Sequence, residues 1–557
     1  MSSVHCGRQS TGIRSLSTSP DTTPSFTLEG WNVKETTFSP ISLTDAYEVV
    51  PRPQSIETVE GAPFQLTADV QILAPEALSN EASFLQTYMK DLLGLQLPLV
   101  SRKQPGKRYI ELSVSPDVKE KEGYLLTVSD KTITINGGSA AGVFYGIQTL
   151  RKSFSPLLHP IAITDAPRFP YRGMHLDCSR HFFPVNFIKK YIDLLALHNM
   201  NVFHWHLTDD QGWRIEIKKW PRLTTIGSHR SGTIIGTNSD LDDHISYGGY
   251  YTQEEAREIV AYAKARHITV IPEIDMPGHM LAALASYPEL GCTGGPYEVG
   301  HYWGVYQDVL CIGNPKVYQF VEDVLTEIMD IFPSEVIHIG GDEAPTTRWE
   351  SCPKCQAVEK EAVKGEPSRP GYQSYFTQRV FNFLSRHGRR TFGWDEILEG
   401  CPQDAVIMSW RGTEPGAKAA AMGHDVVMTP TSHCYFDYQQ IEDAQFEPSR
   451  CGGFIPVERV YALEPVPTGI SDDAARHILG AQANLWTEYV ISEEVAEYQA
   501  LPRMSALAEV QWSQPQRKDY ASFLQRLTRL TTLFEHYHYT YAKHLWPERT
   551  LSNRWQF

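Results

Sequence analysis

No stretch of this chain holds the roughly 18 consecutive apolar residues that a membrane-spanning helix needs, so no bilayer span is expected. Basic residues are the scarcer charge: 50 Lys and Arg stand against 66 Asp and Glu, a formal net charge of −16, and no basic block occurs. A nucleic-acid partner would require a positive face for its phosphates, and that class is excluded. No Gly-rich phosphate loop follows a strand-like run and no histidines pair at ligand spacing on one helix, so no cofactor, neither nucleotide, flavin nor metal, is expected. Cysteines number nine in 557 residues, too few for a disulfide scaffold. Cys352-Pro-Lys-Cys355 has the spacing of half a metal knuckle or of a short disulfide, but no second pair stands at zinc-finger distance. Cys292 and Cys311 flank one long loop and are suited to pair if the protein is exported. Residues 1–40 are rich in Ser, Thr, Gly and Pro, show no apolar signal-peptide core, and read as a flexible segment.

What is present is the balance of a globular chain, 41% hydrophobic and 21% charged. Residues 41–168 alternate strand-like runs (Val70 to Leu73, Tyr109 to Val114, Tyr124 to Ser129, Thr132 to Gly137) with helical ones (Glu81 to Leu93, Gly142 to Arg151), the pattern of a small α/β domain. From residue 169 to 557 the pattern becomes eight short apolar runs separated by amphipathic segments, with a helical segment at the end. The runs are Tyr171 to Cys178, Val202 to Leu207, Thr269 to Ile274, Val336 to Gly341, Arg390 to Trp394, Val406 to Trp410, Val426 to Thr429 and Ile478 to Trp486. Eight strands with helical crossovers predict a closed (β/α)8 barrel. Thr252-Gln-Glu-Glu255 predicts a capping box, and Asn314-Pro315 a capped start with proline in the first turn.

Such barrels carry their chemistry at the C-terminal ends of the strands. Here those ends read Asp177-Cys-Ser-Arg180-His181, His206-Leu-Thr-Asp209-Asp210, Glu273-Ile-Asp275-Met-Pro-Gly-His279, Gly340-Gly-Asp342-Glu343, Trp394-Asp395-Glu396, Trp410-Arg411, Tyr435-Phe-Asp437 and Trp486-Thr-Glu488. One such carboxylate is most simply a helix cap or a surface ion pair, but eight polar strand ends together describe an acidic, aromatic mouth. Sugar hydrolysis requires this: negative charge beside an oxocarbenium-like transition state, and an acid of raised pKa for the leaving oxygen. Asp342 and Glu343 are chain neighbours, which point in different directions at a strand end, and so do not form the opposed pair of an ordinary glycosidase.

The runs His338-Ile-Gly-Gly-Asp342-Glu343, Tyr171-Arg-Gly-Met-His-Leu-Asp-Cys-Ser-Arg180-His181, His204-Trp-His-Leu-Thr-Asp209-Asp210-Gln-Gly-Trp-Arg214, Pro272-Glu-Ile-Asp-Met-Pro-Gly-His279, Gly393-Trp394-Asp395-Glu396 and Asn484-Leu-Trp486-Thr-Glu488 closely resemble the β-N-acetylhexosaminidases of glycoside hydrolase family 20. The resemblance covers the barrel from about Tyr171 to Trp512, and the preceding domain is similar to the family's non-catalytic one. It implies removal of terminal β-linked GlcNAc or GalNAc with retention, the substrate's own acetamide oxygen attacking the anomeric carbon. It further implies Glu343 as acid and then base, Asp342 on the acetamide N–H, and Tyr435 on the acetamide oxygen. Arg180 would hold the 3- and 4-hydroxyls, Asp437 and Glu488 the 4- and 6-carbon side, and Trp394, Trp410 and Trp486 would wall the ring. Asp209 and His279 would orient Glu343 and adjust its pKa. N-acetylhexosamine glycans become the expected partners, and export to the periplasm or surface of a bacterium the expected location. Phe454-Ile-Pro departs from the family, which often has Trp there on the leaving-group side. Three competing readings stand beside this one. They are a lacto-N-biosidase-type or 6-sulfated-sugar enzyme, which Glu488 argues against, a carbohydrate-binding protein on a dead scaffold, and a chitinase-like endo-hydrolase, which would show Asp-x-Asp-x-Glu where this chain has Gly-Gly-Asp-Glu.

Overall fold

The structure, a computed structural model, describes residues 45–546 except 237, 238, 240, 363–370, 444–446 and 448–450; the segment 1–40 lies outside the described residues. The first half-domain is a seven-stranded mixed sheet. In spatial order its strands are Ser55–Thr58, Ile161–Asp165, Tyr124–Val128, Thr132–Gly137, Tyr109–Val114, Gln71–Leu73 and Leu99–Val100. The four expected strands are all there. Ser55–Thr58, Leu99–Val100 and Ile161–Asp165 were not anticipated, because two edge strands this short, and a third lying just before the Asp165-Ala-Pro break, carry little periodic signal. Helices Ser79–Leu93 and Ala140–Lys152 accompany the sheet, and every residue from Gly142 to Arg151 is buried.

Eight parallel strands close the barrel: β1 Tyr171–Asp177, β2 Val202–His206, β3 Thr269–Glu273, β4 Val336–His338, β5 Arg390–Trp394, β6 Val406–Ser409, β7 Val426–Met428 and β8 Ile478–Ala483. Register runs His175 to His204 to Ile271 around the first three. Period-two alternation sorts His204-Trp205-His206: the histidines face inward, while Trp205 packs outward on Phe203 and Tyr251. The interior has an apolar layer of Tyr171, Val202, Ile271, Phe392, Val406, Met408 and Val427. Around it and toward the strand C-termini lie His175, His204, His206, Glu273 and His338, all fully buried.

The outer helices include α1 Val185–Leu197, α2 Gln253–Lys264, α3 Pro315–Ile331, α4 Tyr372–Arg386 and α5 Glu414–Ala421. Thr252 and Glu255 form the expected capping box on α2, and the Asn314 side chain accepts from Lys316 N at the start of α3. One crossover differs from expectation. Between β5 and β6 only a single 3-10 turn, Asp395–Leu398, is present, because parallel strands need a dozen or more residues to route a helix and this connection is shorter.

The sheet domain is bonded into the barrel through buried charge. Arg172 of β1, 1% exposed, forms a bidentate pair with Glu122 at 2.9 and 3.0 Å and reaches Tyr145 Oη at 3.0 Å. Asp165 accepts the indole N–H of Trp512 at 3.0 Å and the Tyr124 hydroxyl at 2.6 Å. Lys152 donates to Val50 O, Leu197 O and Asn199 Oδ1.

Candidate active site

The acid-bearing turn after β4 is dictated by two glycines. The chain leaves the strand at His338, not at Gly341, since Gly340 and Gly341 take φ of +67° and +94°, where L side chains are strained. A Cβ on Gly340 would fall 1.7 Å from Asp275 Oδ1, and one on Gly341 2.4 Å from Ile397 Cγ2. Asp275 accepts the Gly341 N–H at 3.3 Å, and Gln373 of α4 donates to the Gly341 carbonyl. Glu343 itself sits at φ +48°. The consequence is that Asp342 and Glu343 are set by backbone that only this sequence of residues and their buried clamps permits.

One histidine joins the acids to the rest of the mouth. His279 donates from Nδ1 to Asp209 Oδ1 at 3.0 Å and faces Asp210 Oδ2 at 3.2 Å. Its Nε2 stands 3.6 Å from Asp342 and 3.7 Å from Glu343. Burial disfavours the imidazolium, but the Asp209 charge and bond outweigh it and hold His279 well above the usual histidine range. Asp209 also takes His206 Nε2 at 2.9 Å and Arg180 Nη2 at 3.0 Å. Burial pushes Asp209 up, yet Arg180 and His279 bring it well below the usual carboxylate range. Arg180 in turn binds Asp177 at 3.0 Å and Gln211 at 3.0 Å, lies 3.6 Å from Glu488, and covers the Trp486 ring at 5.2 Å.

The tryptophans at the strand ends lie close to one another and to Tyr435. Trp394 and Trp486 lie with ring centres 5.8 Å apart, Trp410 stacks on Tyr435 at 6.2 Å, and the Trp486 indole N–H faces the Tyr435 hydroxyl. Asp437 is 3% exposed beside Glu488, and burial pushes both carboxyls upward. Among the described residues, Asp342 Oδ1, Asp437 Oδ1, Glu488 Oε2 and His279 Nε2 are buried without a hydrogen-bond partner. Orphaned polar atoms are rare in interiors, and four of them contributed by the strand ends describe a surface built to receive hydroxyl and amide groups.

Some expected mouth residues lie elsewhere. Asp177 and Glu273 are fully buried. Asp177 accepts from Ser179 N, Arg180 N and Thr487 N, tying the ends of β1 and β8 together. Glu273 centres the interior, bonded to His206 at 2.6 Å, His204 at 3.0 Å, His338 at 3.0 Å and Trp394 Nε1 at 2.9 Å. Asp395 accepts from the Trp410 and Arg411 N–H groups and so shapes the β6 end. Phe454 forms a bridge with Gln439, two residues past Asp437. One contributor was missed: Cys451, whose thiol lies against Asp437. It sits on a long loop without periodic signal.

The raised acid is also not where it was expected. The His279 N–H aimed at Glu343 lowers its carboxyl below the usual range against the opposing effect of burial. Asp342 is pushed up to about 6, by burial first, with His279 opposing and Glu343 adding to it. Glu396 rises to about 8 through burial and the charges of Asp342 and Asp395, despite its bond from Trp410 Nε1. Glu396 therefore stays protonated in the fold up to about pH 8, while in the unfolded chain it ionises near 4.5. Because the native state then binds the extra proton, stability falls as pH rises through that window. Melting curves between pH 5 and 9 should show Glu396→Gln gaining on the native protein as pH increases; parallel profiles would remove Glu396 as the cause.

Models of known families match nearly the whole described chain: "Glycosyl hydrolase family 20, catalytic domain" over residues 169–515 and "Glycosyl hydrolase family 20, domain 2" over residues 46–166. The beta-hexosaminidase of Porphyromonas gingivalis is 45% identical over 449 residues, 78% of this chain and 56% of that one, so this chain spans little more than half of that relative. The beta-hexosaminidase of Vibrio furnissii is 39% identical over 84% of this chain and 77% of its own. Among solved structures, the exo beta-N-acetylglucosaminidase of Vibrio harveyi in complex with N-acetylglucosamine superposes with a TM-score of 0.77 at 33% identity, covering 91% of this chain and 80% of that one. The beta-N-acetylhexosaminidase of Streptomyces coelicolor gives 0.77 at 31% identity over 91% and 99%. With its barrel and its sheet domain both matched, the chain belongs to glycosyl hydrolase family 20.

Proposed function

We propose that this protein is an exo-acting, retaining β-N-acetylhexosaminidase that releases terminal GlcNAc or GalNAc with help from the substrate's acetamide group. The observation that carries the reading is the pairing of neighbouring acids under one histidine, Asp342 at 3.6 Å and Glu343 at 3.7 Å from His279 Nε2. A retaining enzyme with a protein nucleophile sets its two carboxyls about 5–5.5 Å apart across the sugar. Adjacent residues on one tight turn supply an acid and a stabiliser instead, and the nucleophile then comes from the substrate.

Glu343, with 42% of its side chain exposed, is the member able to reach a leaving oxygen, donate its proton, and later take one from water. Filling the mouth with sugar strips water from Glu343 and strengthens the burial that already acts upward on its pKa, which favours the protonated acid. Asp342, 14% exposed with Oδ1 unpaired, accepts the acetamide N–H and faces the positive charge of the oxazolinium-type intermediate. Tyr435 donates to the acetamide oxygen, and Trp394, Trp410 and Trp486 enclose the methyl and ring. Arg180, Asp437 and Glu488 take the remaining hydroxyls. Placing the nucleophile inside the substrate contributes proximity without a covalent enzyme intermediate. Solved relatives whose names carry β-N-acetylhexosaminidase activity, one of them with bound GlcNAc, support the substrate class. Substrate polymers of this kind lie outside the cytoplasm, which favours export.

The decisive comparison is release of an aryl group from a β-GlcNAc glycoside and from the matching β-glucoside. Hydrolysis of the acetamido sugar alone is expected. Equal cleavage of the glucoside, which has no acetamide to attack with, would overturn the mechanism and require a protein nucleophile.

A further inference from the structure

Behind the acid-bearing turn the fold gathers four cysteines. Cys292 follows the turn Pro288–Leu290, Cys311 lies just before α3, and Cys352 and Cys355 lie where the helices Thr347–Ser351 and Pro353–Ala362 meet, shortly after Glu343. The Cys352-x-x-Cys355 pair thus acquires the second pair that its local sequence lacks, from a loop as many as 63 residues away. Cys292 Sγ is 3.8 Å from Cys355 Sγ, and Cys311 Sγ is 3.8 Å from Cys352 and 3.6 Å from Cys355. All four sulfurs lie within 4.8 Å of one another.

These distances separate a metal knuckle from a pair of disulfides. Disulfide sulfurs stand about 2.05 Å apart. Four thiolates around a tetrahedral ion at about 2.3 Å stand about 3.8 Å from each other. The surroundings also fit a closed metal knuckle. The Gly313 N–H lies against both the Cys311 and the Cys355 sulfurs. A Cβ at position 313 would fall 2.2 Å from the Lys354 carbonyl carbon, so glycine is what lets the two cysteine segments close. Trp349 Nε1 donates to Leu310 O at 2.9 Å and locks them in register. Cys311, Cys352 and Cys355 are 1%, 5% and 0% exposed.

We propose that Cys292, Cys311, Cys352 and Cys355 bind one zinc ion in a structural tetrathiolate site. Four protein sulfurs leave no open coordination position, so the ion takes no part in hydrolysis. Soft thiolates in tetrahedral array select zinc over calcium or magnesium, and binding releases the thiol protons to solvent. The ion clips the loop after β3, which carries His279 at its start, to the segment after β4, which carries Glu343 at its start. It therefore fixes from behind the two loops whose tips the chemistry uses.

The test uses the full-length protein purified without immobilised metal or chelator. Elemental analysis should find one zinc per chain, and Cys352→Ser/Cys355→Ser should reduce it to the buffer blank. In case that variant does not fold, the unaltered protein grown with cobalt should show the visible bands of tetrahedral cobalt–thiolate, which no disulfide produces. Stripping the ion should lower Tm, with recovery on adding zinc and not magnesium. Absence of zinc, with intact mass after non-reducing alkylation showing either two disulfides or four freely alkylated thiols, would overturn the proposal.

Discussion

Replacing Glu343 with Gln is expected to lower kcat on an aryl β-GlcNAc glycoside by about 10²–10⁴, the usual loss when a positioned general acid is removed. KM should change little, because glutamine keeps the shape and the sugar's other contacts lie on Arg180, Asp437 and Glu488. The loss should shrink for a leaving group that departs without a proton, such as dinitrophenolate. Added azide, an anion that attacks without a base, should then restore turnover and yield a β-configured glycosyl azide. An unaltered rate, or azide product of inverted configuration, would contradict the role of Glu343 or the double-displacement course.

Gly340→Ala is expected to be strongly destabilising. The left-handed backbone alone disfavours an L residue by about 1–2 kcal/mol. The new Cβ would also meet Asp275 Oδ1 at 1.7 Å and the Asp275 Cα at 2.9 Å, in a fully buried place. Overpacking of that kind adds about 1–3 kcal/mol, so a total on the order of 2–5 kcal/mol is expected in urea unfolding. Whatever relaxes to relieve the clash moves Asp342 and Glu343, and a shift of about 1 Å can lose 10²-fold in rate. Gly388→Ala is the control, since its φ is +71° but nothing lies within 4 Å of the added atom. Equal destabilisation by the two substitutions would show that backbone conformation alone, not the Asp275 contact, matters.

The strands were legible because apolar runs between turn signals repeat eight times, and the site was legible because polar residues follow each run. The seventh strand is three residues long, with a shifted register against β8. What sequence order hides is depth. Asp177, Glu273 and Asp342 all follow apolar residues near strand ends, yet the first two are consumed by Arg180 and by the histidine layer, and only geometry separates them. Direction of a pKa is hidden for the same reason: Glu343 and Glu396 are both acids near strand ends, and their opposite shifts arise from the His279 bond at one and from burial with neighbouring carboxylates at the other. The four cysteines were unreadable as a set because their partners are set by crossover lengths, not by spacing.

The bonds joining the sheet domain to β1 bear on how the molecule comes apart. Arg172 has no route to water, and its two carboxylate bonds come from Glu122. Were the sheet to unfold first, a guanidinium would remain in the barrel wall without its counter-charge, the Trp512 indole would lose Asp165, and Asn199 would lose Lys152. Each such loss leaves a barrel group without the partner that the intact fold gives it, and is destabilising. The sheet is thus no detachable accessory: sheet and barrel are expected to melt together in calorimetry, and two separated transitions would contradict it.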